Sequence, residues 1–140
     1  MKLFMQHRVI CAVSCALLLS VSSVMMAKVT GISSKQQFAE ILSDTANTNK
    51  LIVVDFYASW CPPCKGFHST FEALSNTYPD AIFVKVDIDA VKDVAKQYHI
   101  RAMPTFKFIV NHVVVSEVVG ADKAKVEAAI KKHKYTRIII

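Results

Sequence analysis

The run Leu51-Ile52-Val53-Val54-Asp55-Phe56-Tyr57 constrains the fold more than any other segment. It is nearly continuous in apolar side chains, rich in β-branched residues and lacks the alternation of a strand with one wet face. Such a run reads as a central strand covered on both sides, so it needs helices above and below the sheet. Ser34 followed by Gln37 is a capping-box pattern that opens a helix through Phe38, Ile41 and Leu42. Cys64 to about Thr77 returns to helical spacing through Phe67, Phe71 and Leu74, and Ala81 to Asp87 reads as a second central strand. Asp89 is expected to cap a helix through Val91, Val94, Ala95 and Tyr98. Thr105 to Val110 and Val113 to Val119 read as strands joined by the two-residue turn Asn111-His112, in which histidine fits the left-handed region less well than asparagine. Asp122 then caps a last helix through Val126 and Ile130. Strands alternating with helices imply parallel pairing, and the closing hairpin adds an antiparallel strand. The expected class is α/β, with a central mixed β-sheet and helices on both faces.

The segment before this domain has a different character. Residues 1–8 carry Lys2, His7 and Arg8 without an acid, and Val9 to Ala27 is uncharged and mostly apolar, ending in small residues. That is the secretory pattern, with Ala27 just before a cleavage point and Ser22 or Ser23 as alternatives. Residues 9–27 are also about long enough to remain as a membrane anchor, against which their four serines argue. Either reading exports the domain, to a periplasmic or secreted location or to a membrane-anchored one. The chain therefore divides into a signal peptide or anchor (1–27), one domain (28–134) and a short tail (135–140). An apolar content of 53% with only 20% charged residues excludes a disordered chain. Of the net charge of +6, much of the excess lies in Lys131, Lys132, Lys134 and Arg137. No basic face with interleaved aromatics accompanies them, so nucleic acid is not an expected partner.

Of the four cysteines, Cys11 and Cys15 fall inside the leader, which leaves Cys61 and Cys64 for the domain. One C-x-x-C pair is too few for a disulfide framework and points to catalysis or metal binding. The pair falls where the buried strand has ended and a helix begins. Three-residue spacing there puts both side chains on one side, close enough for a disulfide. Unpaired N–H groups and the positive end of the helix dipole favour a thiolate. Cys61, at the loop edge, is expected to be the more exposed and to attack; Cys64, entering the helix, is expected to be buried and to resolve. Pro63 suits a helix start because its missing N–H would be orphaned there anyway, and Pro62 stiffens the turn. Asp55, within its apolar run, either is buried, with its pKa raised unless it finds a partner, or points to an edge and is solvated.

At this point the sequence resembles the thioredoxin family. Asp-Phe-Tyr-Ala-Ser-Trp-Cys-Pro-Pro-Cys-Lys (55–65) is similar to the family's active-site signature. Lys85-Val86-Asp87-Ile88-Asp89 and Arg101-Ala102-Met103-Pro104-Thr105 resemble two further blocks in the right order, and Gly120-Ala121 falls where the family has a glycine beside the site. The resemblance spans roughly Val29 to His133. It implies a protein-disulfide reductase or general thiol–disulfide oxidoreductase with a redox-active Cys61–Cys64 disulfide. Asp55 would be the buried proton acceptor beneath Cys64, with Lys85 nearby. Met103-Pro104 would form a cis-proline loop facing the cysteines, and Trp60 would shape the surface beside Cys61. The implied partners are disulfide-containing protein substrates and a reductase or membrane electron donor. No cofactor is called for, and a monomer is expected.

The chain departs from the family at Pro62, which replaces a glycine between the cysteines and clouds the potential of the couple. It departs again at Ser69, where many members have a helix-kinking proline, and at His112 in the hairpin. A zinc reading would use Cys61, Cys64 and His68, but a closed site needs a fourth ligand, and no second ligand pair stands in the sequence. Haem attachment needs a histidine where Lys65 stands. The other competing readings are a binding module with incidental redox activity and, within the enzyme class, an exported dithiol oxidase or disulfide isomerase.

Overall fold

The computed structural model describes residues 29–135. The leader read over residues 1–27 and the tail beyond Tyr135 lie outside them. The elements run β1 (Thr30–Ile32), α1 (Lys35–Ser43), a 3-10 turn (Thr45–Asn47), β2 (Ile52–Tyr57), α2 (Pro62–Thr77), β3 (Ile82–Asp87), α3 (Lys92–Gln97), β4 (Thr105–Val110), β5 (Val113–Val119) and α4 (Lys123–His133). One five-stranded sheet has the order β1-β3-β2-β4-β5. β1 and β2 both run parallel to β3, whereas β4 is antiparallel to β2 and to β5. Among the described residues, no helix is long and apolar enough to cross a membrane.

Antiparallel pairing therefore begins one strand earlier than strand–helix alternation implies. Helix length explains it. The sixteen residues of α2 span about 24 Å, enough to carry the chain back along a six-residue strand of about 20 Å. The six residues of α3 span only about 9 Å. The chain therefore starts β4 from the end at which β3 finished. As a result, the ends of β2 and β3 and the start of β4 gather on one rim.

Side-chain parity along β2 sorts the core into two layers. Leu51 and Val53 join Phe83, Phe106 and Phe108 beneath α2 and α4, packing on Phe67, Phe71, Leu74, Val126 and Ile130. Ile52, Val54 and Phe56 join Val84, Val86 and Ile109 on the other face, against Phe38 of α1 and Val94 of α3. Phe71 anchors the first layer, edge-on to Phe83 at 5.2 Å between ring centroids and tilted on Phe106 at 5.8 Å.

The ends of the elements largely follow their capping residues. The Ser34 hydroxyl accepts from the Gln37 N–H, and the Asp122 carboxylate accepts from the Lys125 N–H. The hairpin turns on Asn111 and His112 with φ of +48° and +67°, both left-handed as this turn type requires, so histidine is accommodated. Asp89 does not cap α3: Val91 is the N-cap residue of that helix and gives no side-chain cap, and the Asp89 carboxylate accepts from the Trp60 indole instead. The edge strand β1, at three residues, is too short to register as periodicity.

Candidate active site

Helix α2 begins at Pro62, two residues earlier than its hydrophobic spacing suggests. Prolines at its first two positions lose no hydrogen bond, because the first-turn N–H groups have no intrahelical partner. Cys61 is thereby the N-cap residue. Its Sγ accepts from the Cys64 N–H at 3.4 Å and is bonded to the Cys64 sulfur, with the two Cα atoms 5.3 Å apart. A sulfur in this position, if reduced, meets the helix N–H groups and the positive end of the dipole, both of which favour the thiolate.

The exposure difference expected between the two cysteines is not present in this disulfide form. Cys61 is 4% exposed and Cys64 5%. The bridge draws the Cys61 sulfur back over the helix end, where both cysteines pack with Ala58 against Tyr57, Ile88 and Met103. The two differ in surroundings instead. Cys64, and not Cys61, lines a cavity of about 310 Å³ whose other walls are Asp55, Tyr57, Ala58, Ser59, Lys65, His68 and Lys85.

Asp55 lies in the middle of the sheet, flanked by Lys85 of β3 and Phe106 of β4. It shares the parity of Val53, so it faces α2 and not solvent at an edge. It is 4% exposed, and its Oδ1 has no hydrogen-bond partner. Burial pushes its pKa from the ordinary 3.8 up to about 7, and the Lys85 ammonium opposes that rise. No ion pair within 4.0 Å joins Asp55 to Lys85 among the described residues. The Lys85 Nζ lies instead 3.0 Å from Nδ1 of His68 and 5.7 Å from the centre of the Tyr57 ring. Burial and the charges of Asp87 and Asp55 push the Tyr57 phenol upward too.

Trp60 is 62% exposed, with its Nε1 donating to Asp89 at 2.8 Å. Met103-Pro104 is a cis peptide, Met103 packs on the cysteine cluster, and the Pro104 carbonyl accepts from the Gly120 N–H at 2.8 Å. Gly120 has φ +95°, a conformation that side chains strongly disfavour, which accounts for glycine at the junction of β5 with this loop. The structure thus brings Trp60, Cys61, Pro62, Pro63, Cys64, Met103, Pro104 and Gly120 to one end of the sheet, with Asp55 and Lys85 below.

His68, whose side chain is 47% exposed, is the cavity-lining residue to which the sequence reading gave no role beyond the zinc alternative. Its spacing of four from Cys64 carried the signal, since that spacing puts both on one helix face. Among the described residues, no cluster of three or more His, Cys, Asp or Glu side chains could hold a metal ion.

The thioredoxin family model matches residues 29–132. Thioredoxin-1 of Schizosaccharomyces pombe is 44% identical over 100 residues, 71% of this chain and 93% of the relative. Thioredoxin H4 of Arabidopsis thaliana is 43% identical over 107 residues, 76% of this chain and 90% of the relative. Among solved structures, thioredoxin NaTrxh of Nicotiana alata superposes with a TM-score of 0.74 at 40% identity, covering 81% of this chain and 98% of that one. Schistosoma mansoni thioredoxin superposes with a TM-score of 0.72 at 48% identity, covering 76% and 96%.

Proposed function

The chain belongs to the thioredoxin family and is a thiol–disulfide oxidoreductase acting on disulfide-containing proteins, and from that premise we propose that it works as an exported reductant. The observation that carries the reading is the Cys61–Cys64 disulfide at the start of α2, above a cavity that holds the buried Asp55.

In the reduced protein the Cys61 thiolate attacks one sulfur of a substrate disulfide. A Cys61–substrate disulfide forms and the other substrate sulfur leaves as a thiolate. Cys64 gives its proton to Asp55 across the cavity. The Cys64 thiolate then attacks the Cys61 sulfur, the Cys61–Cys64 bond forms, and the second substrate sulfur leaves. The substrate gains two electrons and the protein loses two. Asp55 suits its part because a carboxyl with a pKa of about 7 exchanges protons readily near neutral pH. Trp60 and Met103 form the surface on which the substrate chain lies, backed by the buried cis Pro104 and by Gly120, while Pro62 and Pro63 hold the turn.

The leader over residues 1–27 supports export, by cleavage or as an anchor over residues 9–27, and the domain of 28–134 acts beyond the membrane. Exported reduction then requires an electron donor, a reductase or a membrane protein that delivers a dithiol. Insulin reduction with dithiothreitol tests the activity: the chain accelerates precipitation, and Cys61→Ser does not. The equilibrium potential of the couple against glutathione tests the direction. A value near about −270 mV, the general benchmark for thioredoxins, supports a reductant, and one near about −120 mV marks an oxidant. N-terminal sequencing of the exported chain tests the leader.

A further inference from the structure

Helix α4 turns Val126, Ala129 and Ile130 into the core. The opposite side of its spiral carries Ala124, Ala128, Lys131 and Lys132, all exposed. The C-cap residue Lys134 keeps helical φ and ψ, −57° and −20°, so Tyr135 continues this side, and it is 77% exposed. The charged residues that α4 exposes are lysines: Lys123, Lys125, Lys131 and Lys132. Its one acid, Glu127, is half-buried, accepts from the Tyr78 hydroxyl and pairs with Lys131. Lys132 has no ion pair among the described residues. Each of the other helices exposes an acid, Glu40 on α1, Glu72 on α2 and Asp93 on α3. The sequence past Tyr135 adds Arg137 and the run Ile138-Ile139-Ile140.

Lysines among small apolar residues, with a tyrosine and isoleucines at one end, suit an anionic lipid interface. The ammonium groups meet phosphates, while the ring and the isoleucines enter the apolar region beneath. We propose that this end of the domain, Lys131, Lys132 and Tyr135 with the residues that follow, docks on an anionic lipid bilayer. An acidic protein would satisfy the lysines but gives the isoleucines no apolar phase. The topology supports the same orientation. β5 finishes beside the cysteine rim at Gly120, and the eleven residues of α4 then carry the chain about 16 Å away from it. β1 runs parallel to β3, which finishes at the rim, so Val29 enters the domain at the far end as well, packed on the layer beneath α2 and α4. The chain therefore enters and leaves the domain at the end away from the cysteines. A bilayer there leaves Trp60 and Met103 open to substrate proteins in water.

The test uses the full chain and lysine acetylation, read residue by residue by mass spectrometry. It compares buffer, phosphatidylcholine vesicles, and vesicles of phosphatidylcholine and phosphatidylglycerol in equal parts. Lys131 and Lys132 should be protected by the anionic vesicles alone, and less so as salt is raised, while the exposed Lys65 and Lys92 stay reactive. Lys131→Gln with Lys132→Gln should lower partition into the anionic vesicles by about fivefold for each lysine removed, with insulin reduction unchanged. Arginine at both positions should keep it. Serine at Ile138, Ile139 and Ile140 should lower it as well. Protection confined to Lys2, with partition unmoved by the glutamine variant, overturns the proposal, because the leader alone then binds. Equal protection by neutral vesicles overturns the call for anionic lipid. Equal protection by soluble polyglutamate overturns it in favour of an acidic protein.

Discussion

Asp55→Asn should stabilise the oxidised protein, and by an amount that depends on pH in a definite direction. The carboxyl titrates at its ordinary 3.8 when unfolded and at about 7 when folded. Below pH 3.8 both states are protonated, and the buried acid costs nothing through ionisation. Between the two values the unfolded chain has released its proton and the folded chain has not, so each rise in pH favours unfolding. Above about pH 7 the cost is complete. A span of about three pH units, at about 1.4 kcal/mol each, sets it at about 4 kcal/mol. Asparagine fills nearly the same volume and does not ionise. Its effect on packing and hydrogen bonding is therefore a constant offset, and the pH-dependent part of the difference is what the carboxylate costs. Urea unfolding of both proteins from pH 3 to 9 measures it. At a slope of about 2 kcal/mol per molar, the midpoints should separate by about 2 M more at pH 8 than at pH 3. A separation that stays constant across this range would show that Asp55 is ionised without cost, through solvent or a partner that the fold does not provide. The account of the cavity would then be wrong.

Cys64→Ser should trap the reaction halfway, leaving a substrate disulfide on Cys61 that intact-mass measurement detects and that dithiothreitol releases. Phe71→Ala, which removes a ring packed on Phe83 and Phe106, should cost about 3–5 kcal/mol in denaturant unfolding. Asp122→Ala should cost about 1 kcal/mol by deleting the α4 cap, with little change in insulin reduction because α4 contributes nothing to the rim.

What could be read from the sequence and what could not divide along one physical line. Strands β2, β4 and β5 were legible because their pattern is local: apolar runs of six or seven residues bounded by turn residues. The cysteine pair was legible for the same reason, since strand end, turn and helix start are contiguous. Relations between segments were not legible in the pattern itself; Lys85 near Asp55 and Met103-Pro104 facing the cysteines were implied by the family resemblance alone. Asp122 and Asp89 carry the same capping signal, yet one caps its helix and the other accepts from the Trp60 indole, 29 residues earlier in the chain. Nothing within either segment distinguishes them; the neighbour brought in by the sheet does. Asp55 shows the limit most clearly. Its parity with Val53 can be read in the chain, but which helix covers that face depends on the strand order, and burial beneath α2 follows only from that order. Lys85 and His68 are separated by 17 residues and belong to different elements, and only the strand register sets lysine beside Asp55. The couple's chemistry is thus written locally, while the proton chemistry that serves it is assembled by the sheet. A substitution at Lys85 should therefore act on the proton chemistry through Asp55, the rise of whose buried carboxyl pKa its charge opposes.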